Sequence, residues 1–211
     1  MSETFVVHRD EFSIEDPWAI PPQASVVRLR RATDAAPPRL GTAVAAYFDY
    51  DFLTILFSGA DDHVVATHLV HDAPLYDEDV VEVFIAPRDA PEYFEIEVNL
   101  IGTTFDARIE SPDGVRSTMK AEIAWDCSGL FAGVRKRSES SGIRAFDIVI
   151  RIPFASLGVA MPHNGETWRG NFFRIDRHPN HGDEFMAWQP TLKTPADFHV
   201  TAAFGALHFE G

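Results

Sequence analysis

Tyr93-Phe94-Glu95-Ile96-Glu97-Val98-Asn99 alternates without a break: Phe94, Ile96 and Val98 fall on one side, Tyr93, Glu95, Glu97 and Asn99 on the other. A period of two is the signature of a strand that buries one face. The same rhythm continues outward on both sides. Val80 to Ala86 is an apolar run just before it, and Phe105, Ala107 and Ile109 alternate with Asp106 and Arg108 just after. Ser111-Pro112-Asp113-Gly114 then reads as a turn, and Met119, Ala121, Ile123 and Trp125 alternate with Lys120, Glu122 and Asp126. Thr42–Phe48 and Phe52–Ser58, separated by Asp49-Tyr50-Asp51, read as a hairpin. Phe146, Ile148, Ile150 and Ile152 line a further strand, with Phe172–Asp176 and Phe204–Phe209 near the end. Helical periodicity is nearly absent, apart from a short turn after Pro153.

About ten strands at this spacing predict an all-β, antiparallel β-sandwich of the immunoglobulin-like or jelly-roll type. The expected core comprises Val44, Leu53, Ile55, Phe57, Val83, Ile96, Val98, Phe105, Ile148, Ile150, Phe172 and Leu207. A single domain over 1–211 is expected, with 1–41 as a lead-in containing the Pro21-Pro22 and Ala35-Ala36-Pro37-Pro38 loops and 42–211 as the sandwich.

At 211 residues, 45% hydrophobic and 24% charged, the chain can bury a full core without staples. A net charge of −14 opposes nucleic acid and anionic membrane surfaces, which need a basic footprint. No apolar stretch approaches the roughly 20 residues that span a bilayer. Met1 to Asp10 lacks the basic start and apolar run of a secretory signal, so the sequence as written carries the expectation of a cytoplasmic chain, or of a secreted or periplasmic one if a leader has been removed.

Enzyme signatures are missing: no glycine-rich phosphate loop, no Gly-x-Ser-x-Gly elbow, no His-Glu-x-x-His pair. The single cysteine, Cys127, reads as a small half-buried residue rather than a nucleophile. His63, His68 and His71 near Asp61, Asp62 and Asp72, and His178 and His181 near Asn180 and Asp183, could offer ligands to a hard cation, but solvated acidic loops explain them more simply. Met119 and Met186 read as core residues rather than haem ligands.

A different constellation carries more chemistry. Tyr76 stands at the mouth of a strand in which Glu82 is embedded among apolar residues, and Glu95, Glu97 and Asn99 share one strand face. Arg174, Asp176, Trp188 and the run Asp197-Phe198-His199 follow near the C-terminus. Flat rings against sugar C–H faces, with planar carboxylates, amides and a guanidinium on vicinal hydroxyls, make a carbohydrate site. Taken singly, Trp188 can be core, Glu95 and Glu97 a solvated face, and Arg174–Asp176 an ion pair of little worth.

Asp79-Val-Val-Glu-Val-Phe-Ile85, Phe94-Glu-Ile-Glu-Val-Asn-Leu-Ile-Gly-Thr103, the run from Gly165 to Asp176, Met186-Ala-Trp-Gln-Pro-Thr191, Asp197-Phe-His-Val200 and Ala203-Phe-Gly-Ala-Leu207 together resemble carbohydrate-binding module family 9 and its family 9-like branch, over about Ala43 to Phe209. The resemblance implies a β-sandwich, calcium bound structurally in some members, no required cofactor, and non-catalytic binding of plant-type oligosaccharides or polysaccharides of the xylan and cellulose class. It implies that Tyr76 and Phe198 take the places of the two tryptophans that sandwich a terminal sugar, with Trp188 helping. It further implies that Glu82, Glu97, Asn99 and Arg174 bond hydroxyls, while Asp176 orients Arg174. Glu97 stands where those members have an arginine and Arg174 where they have a glutamine. A haem b-binding branch of the same superfold, and an interaction domain that has lost the sugar site, are the alternatives.

Overall fold

The computed structural model describes residues 4–10, 16–88, 91–114 and 116–211. The chain forms β1 (Thr4–Arg9), β2 (Val26–Arg28), β3 (Arg30–Arg31), β4 (Thr42–Phe48), β5 (Phe52–Asp61), β6 (Val80–Ala86), β7 (Glu92–Asn99), β8 (Thr104–Glu110), β9 (Lys120–Glu122), β10 (Phe131–Ser140), β11 (Ile143–Pro153), β12 (Thr167–Asp176), β13 (Glu184–Ala187) and β14 (Gly205–Glu210). These pair in the order β10-β11-β5-β4-β1-β14-β12-β6-β7-β8-β9, one sheet curled on itself so that its two halves face each other as a sandwich.

The hairpin β4–β5 shows how sequence sets register. Asp49 Oδ1 accepts the backbone N–H groups of Asp51 and Phe52 at 2.8 Å each, which closes the three-residue turn. Arg151 on β11 then donates to Asp49 Oδ2 at 2.9 Å. With the turn fixed, Val44 lies opposite Phe57 and Ala46 opposite Ile55, and all four side chains point inward.

The interior between the halves takes Val44, Ile55, Phe57, Ile148 and Ile150 from one side and Val81, Val83, Ile96, Val98 and Phe172 from the other. A second apolar cluster lies on the outer face of the β12–β6–β7–β8 half, where Phe84, Phe105, Ala107 and Phe173 are covered by Leu75, Phe198 and Phe204 from loops. Those strands are therefore buried on both sides. Every expected core residue is buried, although Phe105 belongs to the outer cluster.

Three expectations are corrected. The sheet is mixed, with fourteen strands among the described residues, because β1 runs parallel to both β14 and β4. The expected lead-in thus supplies a strand whose Phe5 and Val7 sit in the core; 1–3 and 11–15 lie outside the described residues. The alternation from Met119 to Trp125 stays a strand only over Lys120–Glu122, after which the chain turns and Trp125 packs its ring on Phe94.

Trp188 fixes the junction of β14 with the core. Its indole meets Phe5 and Phe172 at 5.7 and 5.6 Å, and a Cβ built on Gly205 would stand 2.3 Å from its ring. Gly205→Ala is expected to cost about 1–3 kcal/mol through forced repacking. Urea unfolding measures it, and an unchanged midpoint would show that the indole has room to move.

Candidate functional site

The antiparallel register places Glu82 of β6 opposite Glu97 of β7, Phe173 of β12 opposite Glu82, and Phe105 of β8 opposite Glu97. A row Phe173–Glu82–Glu97–Phe105 therefore crosses the outer face over three strand spacings, about 14 Å. Phe198 stacks on Phe173 at one end, with ring centroids 4.2 Å apart and planes at 15°. At the other end Tyr76, in the short turn Leu75–Asp77, meets Phe105 edge-on at 6.3 Å. Tyr76 is 48% exposed and Phe198 8%. Two rings thus flank a carboxylate pair.

Glu95, two residues before Glu97 on the same face, completes a group of three: one oxygen from each of Glu82, Glu95 and Glu97 lies within 4.8 Å of the others. All three side chains are buried. No protein donor among the described residues reaches Glu82 Oε1 or either oxygen of Glu97. Burial raises all three above the usual carboxylate range, Glu95 to about 7. Repulsion from Glu95 adds to the rise of Glu82, and repulsion from Glu82 and Glu95 to that of Glu97. Glu95 and Glu97 can meet only with a proton between them.

The surrounding groups hold this floor in place. His199 is lowered to about 4 by burial, with Arg116 adding to the effect, so its ring is neutral at pH 7; Nδ1 shares a hydrogen bond with the Tyr93 hydroxyl at 2.7 Å. Arg116 donates to Asp197, which also accepts the His199 N–H. Arg177 donates to the carbonyl of Tyr76 at 2.6 Å, pairs with Asp183 and lies over the Phe185 ring. It therefore fastens the Tyr76 turn to the end of β12. Arg116 and Arg177 were not among the residues singled out in the sequence, because neither lies in a strand pattern.

Of the eight candidate residues, Tyr76, Glu82, Glu97 and Phe198 converge. The other four serve the scaffold. Asn99 clasps its own turn, its Oδ1 accepting the Ile101 and Thr103 N–H groups while Nδ2 donates to the His68 carbonyl. Trp188 is core. Arg174 follows Phe173 and so points to the opposite, inner side. There it donates to Thr42 Oγ1 at 2.9 Å, the Ala60 carbonyl at 2.8 Å, Asp61 at 2.9 Å and Asp176 at 3.2 Å. Asp176 contacts Arg174 as expected, but inside the sandwich. Hydroxyl bonding by Arg174 is thus replaced by a bridge between the two halves.

Calcium takes six to eight oxygen ligands; among the described residues, Asp61, Asp79 and Asp176 bring one buried carboxylate oxygen each within 4.8 Å of one another. The carboxylates of Asp61, Asp79 and Asp176 are taken by Arg174 and by the N–H groups of His63, Val65 and Arg177. His178 Nδ1 accepts two backbone N–H groups, which leaves its other nitrogen protonated and facing Asp62. His71 Nε2 lies 3.4, 3.5 and 3.9 Å from Asp72, Asp126 and Asp106. Although burial opposes it, the Thr104 carbonyl and these three carboxylates raise the His71 pKa above its ordinary value. Cys127 is buried and its thiol is pushed up to about 12 by that burial, which suits packing and not nucleophilic chemistry. A separate depression of about 370 Å³, lined by Leu100, Ile101, Val134, Lys136, Arg144 and Phe146, holds neither carboxylates nor paired rings.

The profile of carbohydrate-binding family 9 matches residues 39–209, and the chain belongs to that family. Among solved structures, a candidate carbohydrate-binding protein from Bacteroides uniformis superposes with a TM-score of 0.75 at 16% identity, covering 100% of both chains. A family 9 module from Caldicellulosiruptor kristjanssonii in complex with cellotriose gives 0.65 at 13% identity, covering 99% of this chain and 94% of that one. The same organism's module in complex with glucose gives 0.64 at 12%, covering 99% and 96%. No curated protein matches the chain.

Two predictions test the site's division of labour. Arg174→Met takes the guanidinium away from Asp61 and Asp176, leaving Asp176 only the longer Arg39 contact at 3.9 Å, and is expected to cost about 3–5 kcal/mol in urea unfolding; wild-type stability would dissolve the bridge. The second follows from proton linkage. Glu82, Glu95 and Glu97 hold protons more tightly folded than unfolded, so their contribution to stability is fully present below pH 4.5, their ordinary value, and is lost as pH rises through their raised folded values, about 7 for Glu95. Glu97→Gln is expected to raise Tm at pH 8 by about 3–6 °C while changing it little at pH 5. Thermal melts across that range decide, and a lower Tm at pH 8 would refute the uncompensated floor.

Proposed function

We propose that the chain is a non-catalytic carbohydrate-binding module whose site is the outer face of β12–β6–β7–β8. Tyr76 and Phe198 supply the stacking rings, and Glu82, Glu95 and Glu97 bond the hydroxyls between them. The observation that carries this reading is the row itself: two aromatic ends, Phe198 on Phe173 and Tyr76 on Phe105, with a carboxylate pair in the gap. Family membership and the related modules in complex with cellotriose and glucose support it.

Partly protonated carboxyls both donate and accept, which suits vicinal hydroxyls. A glycosidase instead needs one carboxyl raised and its partner left ordinary, whereas all three here are raised by the same burial. The whole chain, β1 included, acts as one module, and its ligand is an oligosaccharide or polysaccharide of the β-1,4-linked glucose or xylose class.

Tyr76 is the cleaner of the two rings to remove, being half exposed. Tyr76→Ala is expected to weaken oligosaccharide binding about ten-fold or more, a loss on the scale of one ring contact, with Tm nearly unchanged. Isothermal titration with cello- and xylo-oligosaccharides measures it. Undiminished affinity would remove Tyr76 from the site.

A further inference from the structure

We propose that the depression at the open end of the sandwich is a second binding site, for a small organic anion whose carboxylate is carried on a flat apolar body. Its position follows from strand alternation. Phe146, Ile148, Ile150 and Ile152 send every second side chain of β11 into the space between the two halves. Two residues nearer the start of β11 the same row reaches Arg144. On β10, Val134 lies opposite Ile148 and Lys136 opposite Phe146. At this end, therefore, the inward positions change from apolar to cationic. Leu100 and Ile101, in the turn after β7, close the depression from the other half. A Cβ built on Gly102 of that turn would stand 3.9 Å from Val134, so the turn reaches across to β10.

Space, rigidity and charge each suit such a ligand. The depression holds about 370 Å³, within the range of about 300–1,000 Å³ that small-molecule sites occupy. Its Phe146 is fixed in place. A Cβ built on Gly59 would stand 2.6 Å from the Phe146 ring, and the Arg174 guanidinium lies 5.0 Å from the ring centroid. A side chain so held needs no further ordering when an apolar body packs against it.

Charge complementarity identifies the occupant. In a chain of net charge −14, Lys136 and Arg144 line this depression, and no carboxylate is among its described lining residues. Asp61, opposite Arg144 across β5, is buried and taken by Arg174 and the His63 N–H. Lys136 and Arg144 are exposed and also engage other neighbours. Exposed pairs are weak, so a ligand carboxylate exchanges with them. The side chains of Leu100, Ile101, Val134 and Phe146 offer a hydroxyl-rich body no hydrogen bond, which favours an aryl carboxylate over an acidic sugar.

Isothermal titration of the full chain at pH 7 with 3-phenylpropionate, against 3-phenylpropanamide and glucuronate, tests the proposal. The aryl carboxylate is expected to bind about ten-fold tighter than either, the amide lacking the charge and glucuronate the apolar body. The double variant Lys136→Gln, Arg144→Gln replaces two exposed side chains, and a thermal melt checks its fold. It is expected to reduce the preference over the amide to about three-fold or less. Tyr76→Ala, on the carbohydrate face, is expected to leave 3-phenylpropionate binding unchanged. No saturable binding of 3-phenylpropionate at millimolar concentration would overturn the inference. So would amide or glucuronate binding equally well, or a full preference surviving in the double variant. Loss of binding in Tyr76→Ala would move the ligand to the carbohydrate face and overturn it too.

Discussion

The structure depends on β12, β6 and β7 being buried on both faces at once. Strand alternation then gives each residue one of two destinations, and neighbours in sequence do entirely different work. Phe172 fills the sandwich, Phe173 supports the stacking ring Phe198, and Arg174 returns to the interior. On β6 and β7 the same rule sends Val81, Val83, Ile96 and Val98 inward and leaves Glu82, Glu95 and Glu97 outward. A one-residue slip would put carboxylates into the core, so the apolar interior enforces the register on which the site relies.

The two faces also handle charge in opposite ways. Inside, Arg174 is matched to Asp61 and Asp176, and every one of its terminal nitrogens has an acceptor. Outside, the glutamates are equally buried but unmatched. A buried ion pair is weak evidence for stability, whereas buried like charges are a definite cost.

Much of this architecture is legible in the sequence. The alternation of Tyr93 to Asn99, the turn at Asp49 and the expected core all appear as read, and the family's order of sequence runs locates Tyr76, Glu82, Glu97 and Phe198. What the sequence withholds is parity between strands. Nothing in Phe173-Arg174 says which of the two faces Glu82, because that follows from the β6–β12 register across some ninety residues. Trp188 is similar: an indole near a sugar-binding run is read as a platform until Gly205 is seen to make room for it in the core. The β1 strand is missed for a different reason. Six residues with two buried apolar side chains make too short a pattern, and a parallel partner leaves no hairpin turn to mark it.

That short strand has a consequence for where the folding unit ends. β1 lies between β14 and β4, pairing with residues Ala206 to Glu210 on one side and Tyr47 and Phe48 on the other. The family match begins at residue 39 and therefore omits it. A fragment cut to the matched region would keep every side chain of the carbohydrate face. It would also open a seam in the sheet, with two rows of unpaired backbone groups beside an exposed apolar interior. Unprotected edges of that kind recruit other chains, so the trimmed fragment would meet its own copies before it met a ligand.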